Sequence, residues 1–463
     1  MKLKKISPWA WVSTLYFIEG LPYIAVNNIS VIMFKNLGMS NGDIAFYTGW
    51  LYLPWVIKPF WGPFVDIIKT KRWWTLAMQL IMAVAFAAIA FVIPNISPAE
   101  IATGNVGVSV FTACLVIFWI VGFVSATHDI AADGYYMLAL DESEQSFFVG
   151  IRSTFYRLAT IFGQGGLVVL AGLMQTHMGN VSRAWSYTFI ILSVLFFVAR
   201  IYHSFILPRP AVDKAAIEDS ETNKDERMNH RSNALRAFFG SFGSFFKKPG
   251  VLVATFFILL FRLPEAQLIK IINPFLLDPL SKGGLGLSTT EVGVVYGTIG
   301  VIGLTLGGII GGICASRGGL KKWLWPMALS ISLTCITFCY LSITQAQSLI
   351  IINLCVFVEQ FGYGFGFTAF MLYMMYFSDG EYKTSHYAIC TGFMALGMML
   401  PGMAAGWIQE HLGYVNFFWW VFACNIATWI VTALIKVDPE YGKKVRTVPE
   451  RVNNINEKND IDV

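Results

Sequence analysis

The stretch GPFVDIIKTKRW, residues 62–73, recurs as GICASRGGLKKW at residues 312–323. The glycine, the basic pair and the tryptophan hold the same places in both copies, and serine replaces the aspartate: Gly62, Asp66, Lys71, Arg72 and Trp73 correspond to Gly312, Ser316, Lys321, Lys322 and Trp323. Each copy lies between two long apolar segments. A basic turn repeated in this setting predicts that the chain contains a duplicated membrane unit.

Weaker matches accompany this repeat, and they occur in the same order in both parts of the chain. The matched elements are Ser40-x-x-Asp43 with Ser288-x-x-Glu291, Leu21-Pro22 with Leu263-Pro264, and Asp141 with Asp379. The first pair has the form of a helix N-terminal capping box and opens the second apolar segment of each half. Several ordered matches together predict two related six-helix halves.

The composition is that of a chain that lies mostly in lipid. Of the 463 residues, 56% are hydrophobic and only 13% are charged, whereas soluble domains carry about 25% charged residues. Twelve apolar segments are each long enough to cross the membrane, which takes about 20 residues. Their approximate spans are 9–34, 44–66, 73–94, 105–139, 146–175, 185–207, 250–277, 290–315, 323–345, 348–377, 385–408 and 413–437.

The sequence therefore predicts an all-α membrane protein with twelve transmembrane helices in two pseudo-symmetric six-helix halves. We place the first bundle at 1–207, a polar linker at 208–249, the second bundle at 250–437 and a polar tail at 438–463. Lysine and arginine are abundant in the linker, the tail and alternate connectors. The other connectors hold only Lys35, Arg183 and Lys282. This asymmetry predicts that the linker and both termini are cytoplasmic.

Several classes of function find no support in the sequence. It contains no nucleophile–base pair, no metal-ligand spacing and no phosphate loop after a strand, so we expect neither an enzyme nor a cofactor or metal site. The seven cysteines lie in apolar surroundings and show no disulfide framework. We expect a monomer in membrane lipid whose partners are a small solute and protons, without nucleic acid. A membrane sensor or enzyme is the less favoured alternative.

The charged residues within the apolar segments are the main functional signal. Each would cost about 2.5–3.5 kcal/mol at the bilayer centre on insertion scales, so they must face each other or an aqueous cavity. They are Glu19, Lys58, Asp129, Asp133, Arg152, Arg157, Arg262, Glu265, Lys270 and Glu359. Prolines next to the charges in the first and seventh segments free backbone groups that an internal cavity can use.

Asp129 and Asp133 lie one helical turn apart, so they share a helix face. Two carboxylates that close repel each other, which favours a bound proton on one of them. We expect a network with Arg152 and Arg157 of the next helix, in which Asp129 is the better candidate for proton binding. A static aspartate–arginine lock between the two helices is the competing explanation.

Residues 62–73 resemble the signature loop of the Major Facilitator Superfamily, although Ile67-Ile68 stands where a basic residue is common. A closer resemblance, to the AmpG-type muropeptide permeases of the peptide/acetyl-coenzyme A transporter family, covers most of the chain. The residues that carry it are Gly20-Leu21-Pro22, Lys58, Trp61, Pro63, Asp66, Ser125-Ala126, Asp129-Ile130, Asp133, Tyr156-Arg157-Leu158, Glu291-Val292-Gly293-Val294-Val295, Glu359, Gly364, Gly366, Ala369-Phe370, Ala388 and Ala405-Gly406-Trp407. His128 and His386 depart from it, because glutamine is expected at both positions.

The resemblance implies a symporter in a bacterial inner membrane that imports anhydro-muropeptides or related amino-sugar peptides, driven by the proton gradient. The alternative is a carrier of the same fold for another amino-sugar oligosaccharide, a siderophore or an acyl-coenzyme A ester. We assign proton coupling to Asp129, Asp133, Glu359 and Glu19, and solute binding to Arg157, Arg262, Glu265, Lys270, Lys58, Tyr156 and Gln360. The gating residues are expected to be Gly62, Asp66, Lys71, Arg72 and Arg152.

Overall fold

The computed structural model describes residues 6–93, 108–210, 213, 240, 242–380 and 383–442. Within these ranges the chain is helical and contains no strand. Most of the predicted polar linker and tail lies outside the described residues, as do the first five residues.

The first half contains helices α1 (Pro8–Asn36), α2 (Asn41–Trp50 and Leu53–Ile68), α3 (Lys71–Val92), α4 (Val108–Ala139), α5 (Glu142–Thr160, Ile161–Leu167 and Val168–Met178) and α6 (Val181–Ile206). The second half contains α7 (Val251–Leu260 and Leu263–Leu277), α8 (Thr289–Gly318), α9 (Leu320–Leu333 and Ile336–Thr344), α10 (Leu349–Ser378), α11 (383–412) and α12 (414–434).

Twelve helices cross the bundle in the described part of the chain. Ten helical segments are long and apolar enough to span a membrane, and the last of them, Ser385–Leu434, contains both α11 and α12. The chain reverses there at Gly413, whose φ of 71° is in the left-handed region that suits glycine. The two stretches of α2 are each short, but together they run between the same two ends as the other helices. The predicted twelve-helix architecture is therefore confirmed.

The bundle has two ends, which we name by their position. The linker end contains the last turn of α6 and the first turn of α7, and the far end contains the α1–α2 and α7–α8 connections. The predicted helix caps are present at the far end, where Ser40 Oγ accepts from the backbone N–H of Asp43 at 3.0 Å. Ser288 forms a complete capping box with Glu291. These caps stop the chain from continuing the preceding turn and set where α2 and α8 begin.

The proline motifs in α1 and α7 change the helices in different ways. In α1, Pro22 lies just before a π-helical stretch, Ala25–Ile29. In α7, the helix is interrupted at Phe261–Arg262 and begins again at Leu263. Extra π-helical stretches occur in α5 and α8, at Ile161–Leu167 and Val295–Gly300, and these two lie against each other. Such irregular turns are frequent at functional sites.

Glycines allow the two halves to approach closely. A Cβ added at Gly297 of α8 would overlap the backbone of Gln164 in α5, and one at Gly406 of α11 would overlap the carbonyl of Asn41 in α2. Gly165 of α5 and Gly172 of α5 meet α8 in the same way. Small residues at these contacts let the backbones meet, which is how helices associate in a membrane.

We predict that Gly297→Ala lowers the midpoint of thermal unfolding in detergent by several degrees, because overpacking a close contact costs about 1–3 kcal/mol. The matched control is Gly312→Ala, since a Cβ at Gly312 would meet no atom within 4 Å. The control should unfold at the parent temperature or slightly above it. Equal midpoints for the two variants would show that the contact between α5 and α8 is not tight.

Candidate functional site

A cavity of about 1180 Å³ lies between the two halves. Its wall is built from α1, α2, α4 and α5 on one side and from α7, α8, α10 and α11 on the other. The wall continues to the linker end, where it includes Lys69, Lys71, Asp213 and Ser385. The cavity therefore extends from the middle of the bundle toward one end only.

Three carboxylates converge on the first-half wall of this cavity. Glu19, Asp129 and Asp133, which we call the acidic cluster, place carboxylate oxygens within 4.8 Å of one another. Lys58 of α2 forms an ion pair with Asp129. Arg152 Nη2 of α5 lies 2.8 Å from Asp133 Oδ1. Four helices thus contribute charges to one cluster, and two of its three acids have a cationic partner.

Tyr16 completes the environment of Asp133. Its hydroxyl donates to Asp133 Oδ1 at 2.8 Å, and the Arg152 guanidinium lies 4.3 Å from the centre of its ring. The predicted aspartate–arginine pairing between α4 and α5 is therefore present for Asp133 and Arg152. Asp129 instead pairs with Lys58.

Among the described residues, Glu19 is the acid in the cluster that has no cationic partner. Its side chain is only 6% exposed, and its Oε2 atom has no hydrogen-bond partner. Three acids and two bases leave one negative charge in excess if all five groups are ionised. A buried carboxylate without a partner is costly, so the cluster is suited to bind one small cation, of which a proton is the smallest.

The second-half wall carries a separate ion pair. Arg262, at the interruption of α7, donates to both oxygens of Glu265 at 2.7 Å and to the Tyr363 hydroxyl at 2.8 Å. Its guanidinium also lies 4.8 Å from the centre of the Phe367 ring. Arg262 and Tyr363 line the cavity, whereas Glu265 lies behind them. Glu265 thus fixes the orientation of the arginine.

Aromatic side chains form much of the cavity wall between the acidic cluster and the Arg262–Glu265 pair. The rings that line the cavity include those of Trp55, Tyr156, Tyr363, Tyr23, Tyr52 and Tyr296. Tyr23 packs edge-on against both Trp55 and Tyr52, with ring centres 5.1 and 6.4 Å apart. Rings with polar tips are well suited to bind amphipathic solutes such as sugars.

The other residues predicted to bind solute or protons fall into two groups, those that line the cavity and those that do not. Lys58, Tyr156, Arg262 and Gln360 lie on the cavity wall together with the acidic cluster. Glu359, Glu265, Lys270 and Arg157 do not. Glu359 is buried behind the wall and accepts from the Gln360 side-chain amide at 2.8 Å. Arg157 reaches from α5 toward α8, where its guanidinium approaches Gly308.

The predicted gating residues hold the linker end of the first half together. Asp213 accepts from the backbone N–H groups of Lys71 and Arg72 at 2.7 and 3.0 Å, and so caps α3. Arg72 also donates to the carbonyls of Ser204 and Leu207 at the end of α6. Gly62 and Lys71 line the mouth of the cavity. The side chain of Asp66 lies outside the described residues.

A polar network that the sequence did not reveal closes the far end. Lys35 Nζ lies 2.8 Å from Asp278 Oδ1 and donates to Asn41 Oδ1 at 2.7 Å. Asn41 donates to Gln409 at 2.7 Å and to Tyr414 at 2.9 Å, and the Tyr414 hydroxyl donates to Asp278. These five residues, which we call the far-end latch, join α1 and α2 to the second half. The cavity is thus closed on this side.

We predict that breaking the latch exposes the interface beneath it. Asp278→Lys or Lys35→Asp alone places like charges together, and losing one partner of a buried pair costs about 3–5 kcal/mol. Each single variant should raise the rate at which a membrane-impermeant maleimide modifies a reporter Thr48→Cys by about tenfold or more. Thr48 is a fully buried residue of α2, and the seven native cysteines are replaced by serine.

The double variant with both substitutions exchanges the charges and serves as the matched control. It should return labelling toward the parent rate, because the pair forms again in reverse. If both single variants labelled at the parent rate, the latch would not close the far end.

Comparison with known proteins supports the architecture. The family model described as the Major Facilitator Superfamily matches residues 12–385. A solved structure of a D-xylose–proton symporter aligns with a TM-score of 0.66 at 13% identity, covering 94% of this chain and 99% of that one. At this identity the structural likeness shows the fold alone.

Curated bacterial relatives are similar over most of their length. The chain is 24% identical over 416 residues to a protein of Rickettsia conorii named putative transporter AmpG 4, covering 87% of this chain and 90% of that one. It is also 24% identical over 436 residues to the anhydromuropeptide permease of Escherichia coli strain K12, covering 92% of this chain and 79% of that one. Given the match of the family model and the twelve-helix fold, the chain is a multi-pass membrane transporter and belongs to the Major Facilitator Superfamily.

Proposed function

We propose that this transporter couples proton entry to the import of anhydro-muropeptides or related amino-sugar peptides. The observation that carries the proposal is the acidic cluster on the wall of a cavity between the halves, where three carboxylates face two cations. Similarity to a protein named anhydromuropeptide permease supports the class of solute.

The acidic cluster provides the proton site in this proposal. A proton on the cluster removes its excess negative charge without needing the several oxygen ligands that a metal ion takes. Lys58 and Arg152 already form ion pairs with two of the acids, Asp129 and Asp133. The proton is therefore shared among Glu19, Asp129 and Asp133, and its arrival or loss changes how firmly the two cations are held.

The rest of the cavity provides the solute site. Its volume of about 1180 Å³ exceeds the roughly 300–1,000 Å³ of pockets for drug-sized ligands, which suits a disaccharide that carries a peptide. The rings of Tyr156 and Tyr363 offer faces for the sugar, and Gln360 offers an amide. Arg262 faces the cavity as a cation for the carboxylates of the peptide.

Alternating access follows from the closure at one end of the bundle. We propose that the linker end is cytoplasmic, because most lysine and arginine residues of the connectors lie there. The structure then corresponds to the state that releases solute inward, with the far-end latch closed toward the outside. Rocking of the halves would open the latch and close the linker end, which is how carriers with repeated halves work.

We predict that proteoliposomes containing the purified protein accumulate radiolabelled N-acetylglucosaminyl-anhydro-N-acetylmuramyl tripeptide when the outside is acidic. An uncoupler should abolish the accumulation, because the proton gradient is its driving force. Counterflow measured against an amino-sugar oligosaccharide, a siderophore complex and an acyl-coenzyme A ester tests the specificity. Counterflow with one of these and none with the muropeptide would disprove the proposed solute.

We predict different losses for two variants of the acidic cluster. Glu19→Gln mimics a permanently protonated acid, so it should keep solute exchange but lose accumulation against a gradient by about tenfold or more. Asp129→Asn leaves Lys58 without its partner and should reduce both processes. Asp379→Asn is the control, because this acid lies at the end of α10 with its side chain 71% exposed.

Normal uptake by Asp129→Asn, with its full dependence on the proton gradient, would remove Asp129 from the mechanism. Normal gradient-driven accumulation by Glu19→Gln would do the same for Glu19. A loss of accumulation in Asp379→Asn would show that the assay responds to any change of an acid.

A further inference from the structure

Lys270 is buried in the junction between the two halves. Its side chain is 1% exposed, and its ammonium donates to Thr48 Oγ1 at 3.0 Å. The same ammonium lies 4.9 Å from the centre of the Tyr52 ring. Lys270 belongs to α7, whereas Thr48 and Tyr52 belong to α2. The charge is thus enclosed by side chains of both halves, with Gly402 of α11 packed against its stem.

This ammonium lacks the partner that a buried charge needs. A lysine has three N–H donors, and Thr48 is the one acceptor that it contacts among the described residues. None of the ion pairs within the described ranges includes Lys270. Lys270 does not line the cavity, whereas the Tyr52 ring that it contacts does. The amine of Lys270 is therefore not in contact with the cavity in this state.

The surroundings of Lys270 must separate when the far end opens. The far-end latch joins α1 and α2 to α7, α11 and α12. The contact between Lys270 and Thr48 joins α2 to α7 beneath this latch. Parting the halves at the far end breaks both sets of contacts, and the ammonium then faces the new cleft.

We propose that Lys270 is a carboxylate-binding residue that acts only in the state open at the far end. An anionic solute entering from the far end meets the ammonium there, and a carboxylate supplies the acceptors that Thr48 alone cannot. When the far end closes, the Tyr52 ring and the contact with Thr48 separate the ammonium from the cavity. The solute therefore loses this contact before release at the linker end. This inference rests on the proposed function.

The proposal requires that removing the charge weaken binding from one side only. In right-side-out vesicles, Lys270→Met should raise the KM for uptake of the anhydro-muropeptide tripeptide by about tenfold, as expected for a lost charged hydrogen bond. In inside-out vesicles, the KM measured from the linker end should stay within about twofold of the parent. Lys270→Arg, which keeps the charge, should restore most of the affinity from the far end.

An experiment with a chemically modified solute distinguishes a role of Lys270 in binding from a role in folding. The same tripeptide with its carboxylates converted to carboxamides should bind the parent less well from the far end, and Lys270→Met should then cause little further loss. An equal rise of KM from both ends, or an equal effect on acid and amide, would assign Lys270 a structural role and overturn the proposal. So would an unchanged KM from both ends.

Thiol labelling tests the required exposure without any solute. A membrane-impermeant maleimide added at the far end should modify Lys270→Cys, and faster when Asp278→Lys opens the latch. Absence of labelling in both backgrounds would overturn the inference, even if folding of Lys270→Met failed. Failure of the parent protein to transport the tripeptide at all would instead refute the proposed solute.

Discussion

An ionised side chain near the centre of a bilayer costs about 2.5–3.5 kcal/mol even on the lenient insertion scales, and this chain carries at least ten ionisable side chains within its apolar segments. The ion pairs of Lys58 with Asp129 and Arg152 with Asp133 meet that constraint. Their geometry requires α2, α4 and α5 to meet along one face. The central cavity lies on the same face, so the stabilisation of the charges and the position of the cavity have one cause.

The two ends of the junction use different chemistry, and the difference suits a transporter. At the far end, glycines bring backbones together and a polar latch led by Lys35 and Asp278 closes the contact. At the linker end, the cavity wall reaches the helix termini. Water can solvate the groups of a polar latch when the halves part, whereas opening an apolar seal would expose hydrophobic surface to water. In the proposed mechanism, the far end opens when the balance of charges inside the cavity changes.

Features with a local cause could be predicted from the sequence. The twelve-helix fold was predicted from the repeat at residues 62–73 and 312–323, from the capping boxes and from the apolar spans. Each of these features depends on residues that are neighbours in the sequence. Contacts between distant helices could not be predicted. Lys35 meets Asp278 and Lys270 meets Thr48 across more than 200 residues of sequence, and no local pattern selects such partners. For the same reason the sequence assigned Glu265, Lys270 and Arg157 to solute binding, although none of the three lines the cavity in this state.

The most direct test of the account is the ratio of protons to solute molecules that enter together. It can be measured in proteoliposomes by following the internal pH and the labelled anhydro-muropeptide at the same time. Three acids balanced by two bases predict a ratio of one proton per solute. Solute accumulation without any proton movement would contradict the account, since the acidic cluster would then have no part in transport.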